Sequence, residues 1–189
     1  MRAAEHTADD RRVRRTKRQL RGALLGLILE RGWDAVRIQD VCRAADVGRS
    51  TFYLHFADKE DLLLSGFDDL LEELVRARQG KLQPLSFVEP LVLHASQNLS
   101  LFRKVAGSRS GHEVIWRFKD VVSTVVEREL TELKVAKTAR PIVARFVAGG
   151  ISELIFGWLE KPSGVSAETL ASRCQNLALS AIAGVKRAP

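Results

Sequence analysis

The sequence predicts an all-α fold in two parts, a small amino-terminal unit of three helices followed by a larger helical unit. Three observations carry this. Apolar residues recur at i, i+3 and i+4 through most segments, and strand-like alternation appears nowhere in the first half. Gly, Pro and a short Asp46–Gly48 break cut that pattern into helix-sized lengths. Charge is also uneven: residues 11–59 hold twelve Lys/Arg against five Asp/Glu, a surplus equal to the +7 of the whole 189-residue chain. The remainder is neutral on balance and apolar enough to bury a core, so the two parts have different tasks, the first with a polyanionic partner.

Residues 1–12 read as a flexible tail leading into a basic run, RRVRRTKRQLR. Thr16 and Gln19 have capping-box spacing, so the first helix is placed from Thr16, with Leu20, Ala23, Leu24, Leu27 and Ile28 inward and Gly32 as its stop. Ile38, Val41, Cys42 and Ala45 mark a second, short helix, and a third begins near Arg49. Asp58, with Asp61 at the third helical position, caps a long helix expected to run to Gly80 along Leu63, Phe67, Leu70, Leu71 and Leu74. KLQPLSFVEP is a linker or helix entrance. Helices are expected over about 87–95, 97–106, 111–134, 138–160 and 166–185, the last opened by Ser166 and Glu168.

Several function classes lack their signals. Cys42 and Cys174 have no CxxC spacing, which indicates neither a disulfide framework nor a zinc site and fits a reducing cytoplasm. The amino terminus has no apolar signal core. Residues 142–159 come closest to a membrane span but contain Arg145 and Glu153, so no membrane association is expected. No HExxH, GxGxxG or Walker A motif occurs, and GSRSG at 107–111 has Arg109 where a nucleophile elbow needs Ser. Neither catalysis, nor a metal, nor a cofactor is expected.

The stretch GRSTFYLHFADKEDLL has the composition of a helix that enters the major groove. Phe52 and Phe56, four apart, face inward, which leaves Arg49, Ser50, Thr51, Tyr53 and His55 outward or sideways. Tyr53 and His55 are equally the kind of amphipathic side chain that covers apolar surface. Over residues 14–63, the basic start at Thr16, Gly32-Trp33, the STFYLHF run and Lys59-Glu60 together resemble the DNA-binding domain of the TetR family of transcriptional regulators. The resemblance implies a helix-turn-helix domain over 13–58 and an effector-binding and dimerisation domain over 59–189. It also implies groove contacts from Arg49, Ser50 and Thr51, and phosphate contacts from Tyr53, His55, Lys59 and the helix start at Thr16. An Arg can pair with guanine and a Thr methyl can meet thymine. The sequence departs from the family at Asp46 (usually Gly), Gly48 (usually Ser) and Val36-Arg37 (usually a Thr pair). The last change removes the usual cap of the second helix, and Arg37 is the candidate to replace its phosphate contact. Arg11 to Arg15 reach either the minor groove or the phosphates.

In the second part, PIVARFVAGGISELIFGWL is apolar on two faces and therefore has two neighbours, its own core and a partner helix. Small residues allow the partner close approach. With the resemblance, this places a homodimer interface at Ala148, Gly149, Ser152, Phe156, Leu170, Leu177 and Ala178. His94, Phe102, Trp116 and Phe118 are either core packing or the lining of a pocket for an unknown small-molecule effector. The expected function is a ligand-responsive regulator, a repressor on a near-palindromic double-stranded DNA operator. The alternative is a similar dimer without an effector pocket, acting through protein contacts or as a co-activator.

Overall fold

The computed structural model describes residues 2–78, 83–106, 108, 111–161 and 164–187, all helices and short connections. Ten helices follow one another: α1 (Arg2–Arg31), α2 (Ile38–Ala44), α3 (Arg49–His55), α4 (Lys59–Leu64), α5 (Gly66–Arg78), α6 (Val88–Gln97), α7 (Leu99–Ala106), α8 (Gly111–Glu132), α9 (Arg140–Glu160) and α10 (Ala167–Arg187). No strand occurs among the described residues. Gly107, Arg109 and Ser110 of GSRSG, and the expected helix end at Gly80 with Lys81 and Leu82 of the linker, lie outside them.

Two expectations about helix boundaries are corrected. Thr16 does not open the first helix; it lies within α1, and its Oγ1 donates to the Arg12 carbonyl four residues back (3.1 Å). Arg, Ala and Glu favour helix, so nothing in residues 2–15 halts it. The helix from Asp58 is also two helices, α4 and α5, broken at Ser65. There the Arg21 Nη2 donates to both the Ser65 carbonyl (3.3 Å) and its Oγ (3.0 Å), and the Arg21 Cδ passes 3.4 Å from where a Cβ on Gly66 would stand. The guanidinium thus takes a carbonyl that a continuous helix would have paired internally.

The expected stops and caps elsewhere are present. Gly32 ends α1 at φ +83, where its N–H reaches the Ile28 carbonyl (2.9 Å). Asp46 takes the left-handed turn between α2 and α3 at φ 54, which a short side chain tolerates. Asp58 Oδ1 accepts from the Asp61 N–H (2.8 Å), and Asp61 Oδ2 accepts from the Ala57 N–H (2.9 Å). Ser166 Oγ accepts from the Thr169 N–H (3.2 Å) at the start of α10.

Two apolar cores result. The first gathers Leu20, Leu24 and Ile28 of α1 with Trp33, Val41, Phe52, Phe56, Leu62 and Leu63, so α4 packs with the helix-turn-helix rather than with the bundle. Val105 of α7 completes this core. The second joins α5, α6, α8, α9 and α10, with the longest contact between α8 and α9. Helix α9 is long and apolar enough to cross a membrane by length and composition, yet Val143, Val147, Ile151 and Ile155 are buried in this second core. Cys42 and Cys174 are both free and buried, each within a different core, and burial pushes the Cys174 thiol up to about 11.

Candidate nucleic-acid interface and effector cavity

Helix α3 is seated by its aromatic pair. Phe52 is fully buried and Phe56 nearly so, their rings 5.9 Å apart, and Tyr53 meets Phe52 edge-on at 5.3 Å. With that face fixed, Arg49, Ser50 and Tyr53 are exposed, while Thr51 and His55 are half-buried. His55 lies edge-on to Phe56 at 6.3 Å, so it covers the aromatic pair as well as flanking the outward face. Leu54 was not foreseen as a surface group, and it is 79% exposed. Its place is legible in retrospect, since it lies between Tyr53 and His55 and off the Phe52/Phe56 stripe.

Two of the expected phosphate ligands are differently engaged. Lys59 folds inward: its Nζ donates to the carbonyls of Trp33 (2.8 Å) and Val36 (3.0 Å) and sits 4.4 Å from the centre of the Trp33 ring. Partial burial lowers its pKa, against the pull of Asp34 and Glu60. Lys59 therefore ties the loop before α2 to the start of α4. Thr16, inside α1, spends its hydroxyl proton on the helix backbone. Arg37 keeps an exposed side chain at the N-cap of α2, where its backbone N–H donates to Asp40 Oδ2 (3.3 Å). Asp40, which also pairs with Arg31 (3.2 Å), stabilises the turn that lacks the usual Thr and leaves the Arg37 guanidinium outward.

A cavity of about 290 Å³ lies where the two cores meet. Its wall takes Arg21 and Leu25 from α1 and Leu63 from α4, then residues of α5 through α9. Of the four expected lining residues, His94, Phe102 and Phe118 are there. Trp116 is not: it is 62% exposed. The buried stripe of α8 runs through Phe118, Val122 and Val125, and Val114, four before Phe118, reaches the cavity in its place. That i, i+4 relation was the available signal. Phe156, expected at the dimer interface, also lines the cavity, stacked on Phe102 at 5.0 Å and tilted on Phe118 at 5.1 Å.

Four more of the expected interface residues, Ala148, Ser152, Leu170 and Ala178, are buried within the single chain rather than presented on its surface. At i, i+4 spacing, Ala148, Ser152 and Phe156 form the inward stripe of α9, and the small members permit its close packing. Gly149 and Leu177 remain accessible, Leu177 at 61%. Helix α9 also exposes Ile142, Phe146 and Leu154.

Residues 83–180, more than half of the chain, match the family model described as "Transcriptional regulator C-terminal region", and residues 21–65 match that for "Bacterial regulatory proteins, tetR family". The chain belongs to the TetR family. It is thus a transcriptional regulator with a DNA-binding helix-turn-helix at α2–α3. Over 76 residues it is 41% identical to the HTH-type transcriptional regulator CymR of Pseudomonas putida, a match covering 39% of this chain and 37% of that one. The TetR-type fold extends further than this. A TetR transcriptional regulator from Streptococcus agalactiae superposes over 92% of this chain and 98% of its own, at TM-score 0.63 and 24% identity. The dihydroxyacetone kinase operon activator DhaS does so over 89% and 96%, at TM-score 0.66 and 19% identity.

Proposed function

We propose that this TetR-family protein is a cytoplasmic, ligand-responsive repressor that binds a near-palindromic double-stranded DNA operator as a homodimer and is released by a small-molecule effector. One observation carries the reading: the cavity is walled by both units at once, with Arg21, Leu25 and Leu63 on the DNA-binding side and Phe102, Phe118 and Phe156 on the other. A molecule lodged there touches the helix-turn-helix core directly, so its binding free energy depends on how the two cores are disposed. The alternative without an effector pocket has this cavity against it.

In this reading Arg49, Ser50 and Thr51 meet base edges, Tyr53, His55 and the exposed arginines of α1 meet phosphate, and Ile142, Phe146, Gly149, Leu154 and Leu177 form the dimer face. An exposed apolar surface along two adjacent helices is the usual mark of a partner surface. The test is linkage. Operator affinity is measured with and without a bound small molecule, and the affinity for that molecule with and without operator; the two ratios must agree, typically at 1–3 kcal/mol of coupling, or about 5–150-fold. Affinities unchanged within both pairs of titrations would remove the inducer from the reading. A reporter gene with the operator at its promoter then distinguishes repression from activation.

A further inference from the structure

The inside of the cavity is made of Leu, Val and Phe side chains, and its polar groups are concentrated on one edge, between α5 and α6. Asp69 and Glu73 stand one turn apart on α5, and His94 stands in the last turn of α6 with Asn98 as the C-cap of that helix, all four in the wall. Their hydrogen-bonding capacity is mostly for accepting. Both carboxylates are acceptors only, and Asn98 uses an Nδ2 proton on the His94 carbonyl (2.8 Å), leaving its Oδ1 as acceptor. His94 contributes one ring nitrogen as acceptor while neutral, the form that its burial favours.

The only cation in the wall among the described residues is Arg21; both of its terminal nitrogens are committed, while its Nε is a buried donor without a hydrogen-bond partner. Its Nη1 pairs with Asp69, and its Nη2 holds Ser65 at the α4–α5 joint. Arg103 and Lys119 touch lining residues but are not in the wall: Arg103 donates to the Leu159 carbonyl (2.9 Å), and Lys119 Nζ lies 6.0 Å from the Phe156 ring centre. With His94 neutral, the wall carries one positive and two negative charges. A carboxylate there would meet surplus negative charge, whereas an ammonium would meet acceptors and aromatic faces.

Resting on the reading of the cavity as the effector site, we propose that it takes an amphiphilic amine, with an apolar ring-bearing body among Phe67, Phe102, Phe118 and Phe156 and a protonated nitrogen on the α5–α6 edge, where it competes with Arg21 for Asp69. The competition gives the ligand a direct effect on the DNA-binding unit. Arg21 belongs to α1, and its bond to Asp69 ties that helix to α5. An ammonium that takes Asp69 loosens the tie on the same side where α4 carries the end of the first core.

The test uses three probes with one naphthalene body, bearing an aminomethyl, a hydroxymethyl or a carboxymethyl group, titrated calorimetrically against the full chain. The amine is expected to bind about tenfold more tightly than the acid and several-fold more tightly than the alcohol. Asp69→Asn and Glu73→Gln should each weaken the amine by about threefold or more and leave the alcohol unchanged. Arg21→Gln, with folding checked by circular dichroism, should tighten the amine because Asp69 is released; if that variant does not fold, Asp69→Asn, at an exposed position, keeps the test in force. An acid bound as tightly as the amine, or an amine no better than the alcohol, overturns the proposed class while leaving the effector cavity standing. If all three probes fail but the neutral dye Nile red binds and is excluded by Phe102→Trp, the amine class is likewise overturned and the cavity retained. Failure of Nile red as well overturns both.

Discussion

The Lys59 ammonium is stacked on the indole of Trp33, 4.4 Å from the ring centre, and bonded to the Trp33 carbonyl. One cation thus closes the turn after α1 against the start of α4. Lys59→Ala deletes a charged donor to two carbonyls and a ring contact, and is expected to cost about 1–3 kcal/mol of stability, read as a lower urea midpoint at unchanged slope. If Lys59 were instead an outward phosphate ligand, the variant would keep its midpoint and flatten the salt dependence of DNA binding.

Arg49→Ala should relax base preference at one position of each half-site and cost roughly 1–3 kcal/mol on the selected operator. Leu54→Ala should erase any preference for thymine over uracil at the base its side chain meets, since a methyl contact is all that an exposed leucine can read. Both are measured by fluorescence anisotropy at fixed salt. Wild-type binding should fall steeply with salt, and a flat salt response would remove phosphate contact from the interface.

Gly149→Leu should leave the protomer folded, because a Cβ there has no neighbour within 4 Å in one chain. Phe146, 70% exposed, is the matching apolar position, and Phe146→Glu places a charge on the proposed dimer face. Both variants should shift the mass measured by light scattering towards the monomer while the circular dichroism spectrum keeps its helical form. A wild-type chain that scatters as a monomer would exclude the dimer.

Burial lowers the His94 pKa below its ordinary 6.5, against the opposing field of Glu73. Below that value the unfolded chain gains a proton that the folded chain resists, so stability falls as pH drops through 6.5 toward the lower folded value. The melting temperature of His94→Gln should therefore fall less than that of the wild type between about pH 7.5 and 5.5. Parallel curves would show that His94 is equally solvated in both states.

The fold class, the helix-turn-helix and most helix positions were legible because each rests on local physics. Asp58 caps through its own loop, Gly32 and Asp46 take left-handed turns that few residues tolerate, and the Phe52/Phe56 spacing fixes which face of α3 is buried. Apart from the start of α1, where local helix propensity carries the helix past the Thr16 cap, the errors involve partners distant in the chain. The break at Ser65 needs Arg21, 44 residues away, to capture its carbonyl, and Lys59 turns inward because carbonyls 26 and 23 residues earlier lie within its reach. Apolar periodicity marks a buried stripe without saying what buries it, so Ala148, Ser152 and Phe156 read equally well as partner-facing or core-facing. By itself the sequence determined which segments are helical, the turns at Gly32 and Asp46 and which face of α3 is buried. Only the tertiary structure decided that Phe156 faces a cavity, that Trp116 faces solvent and that Ile142 and Phe146 stand exposed, because a helix face acquires its neighbour only when other helices are packed around it.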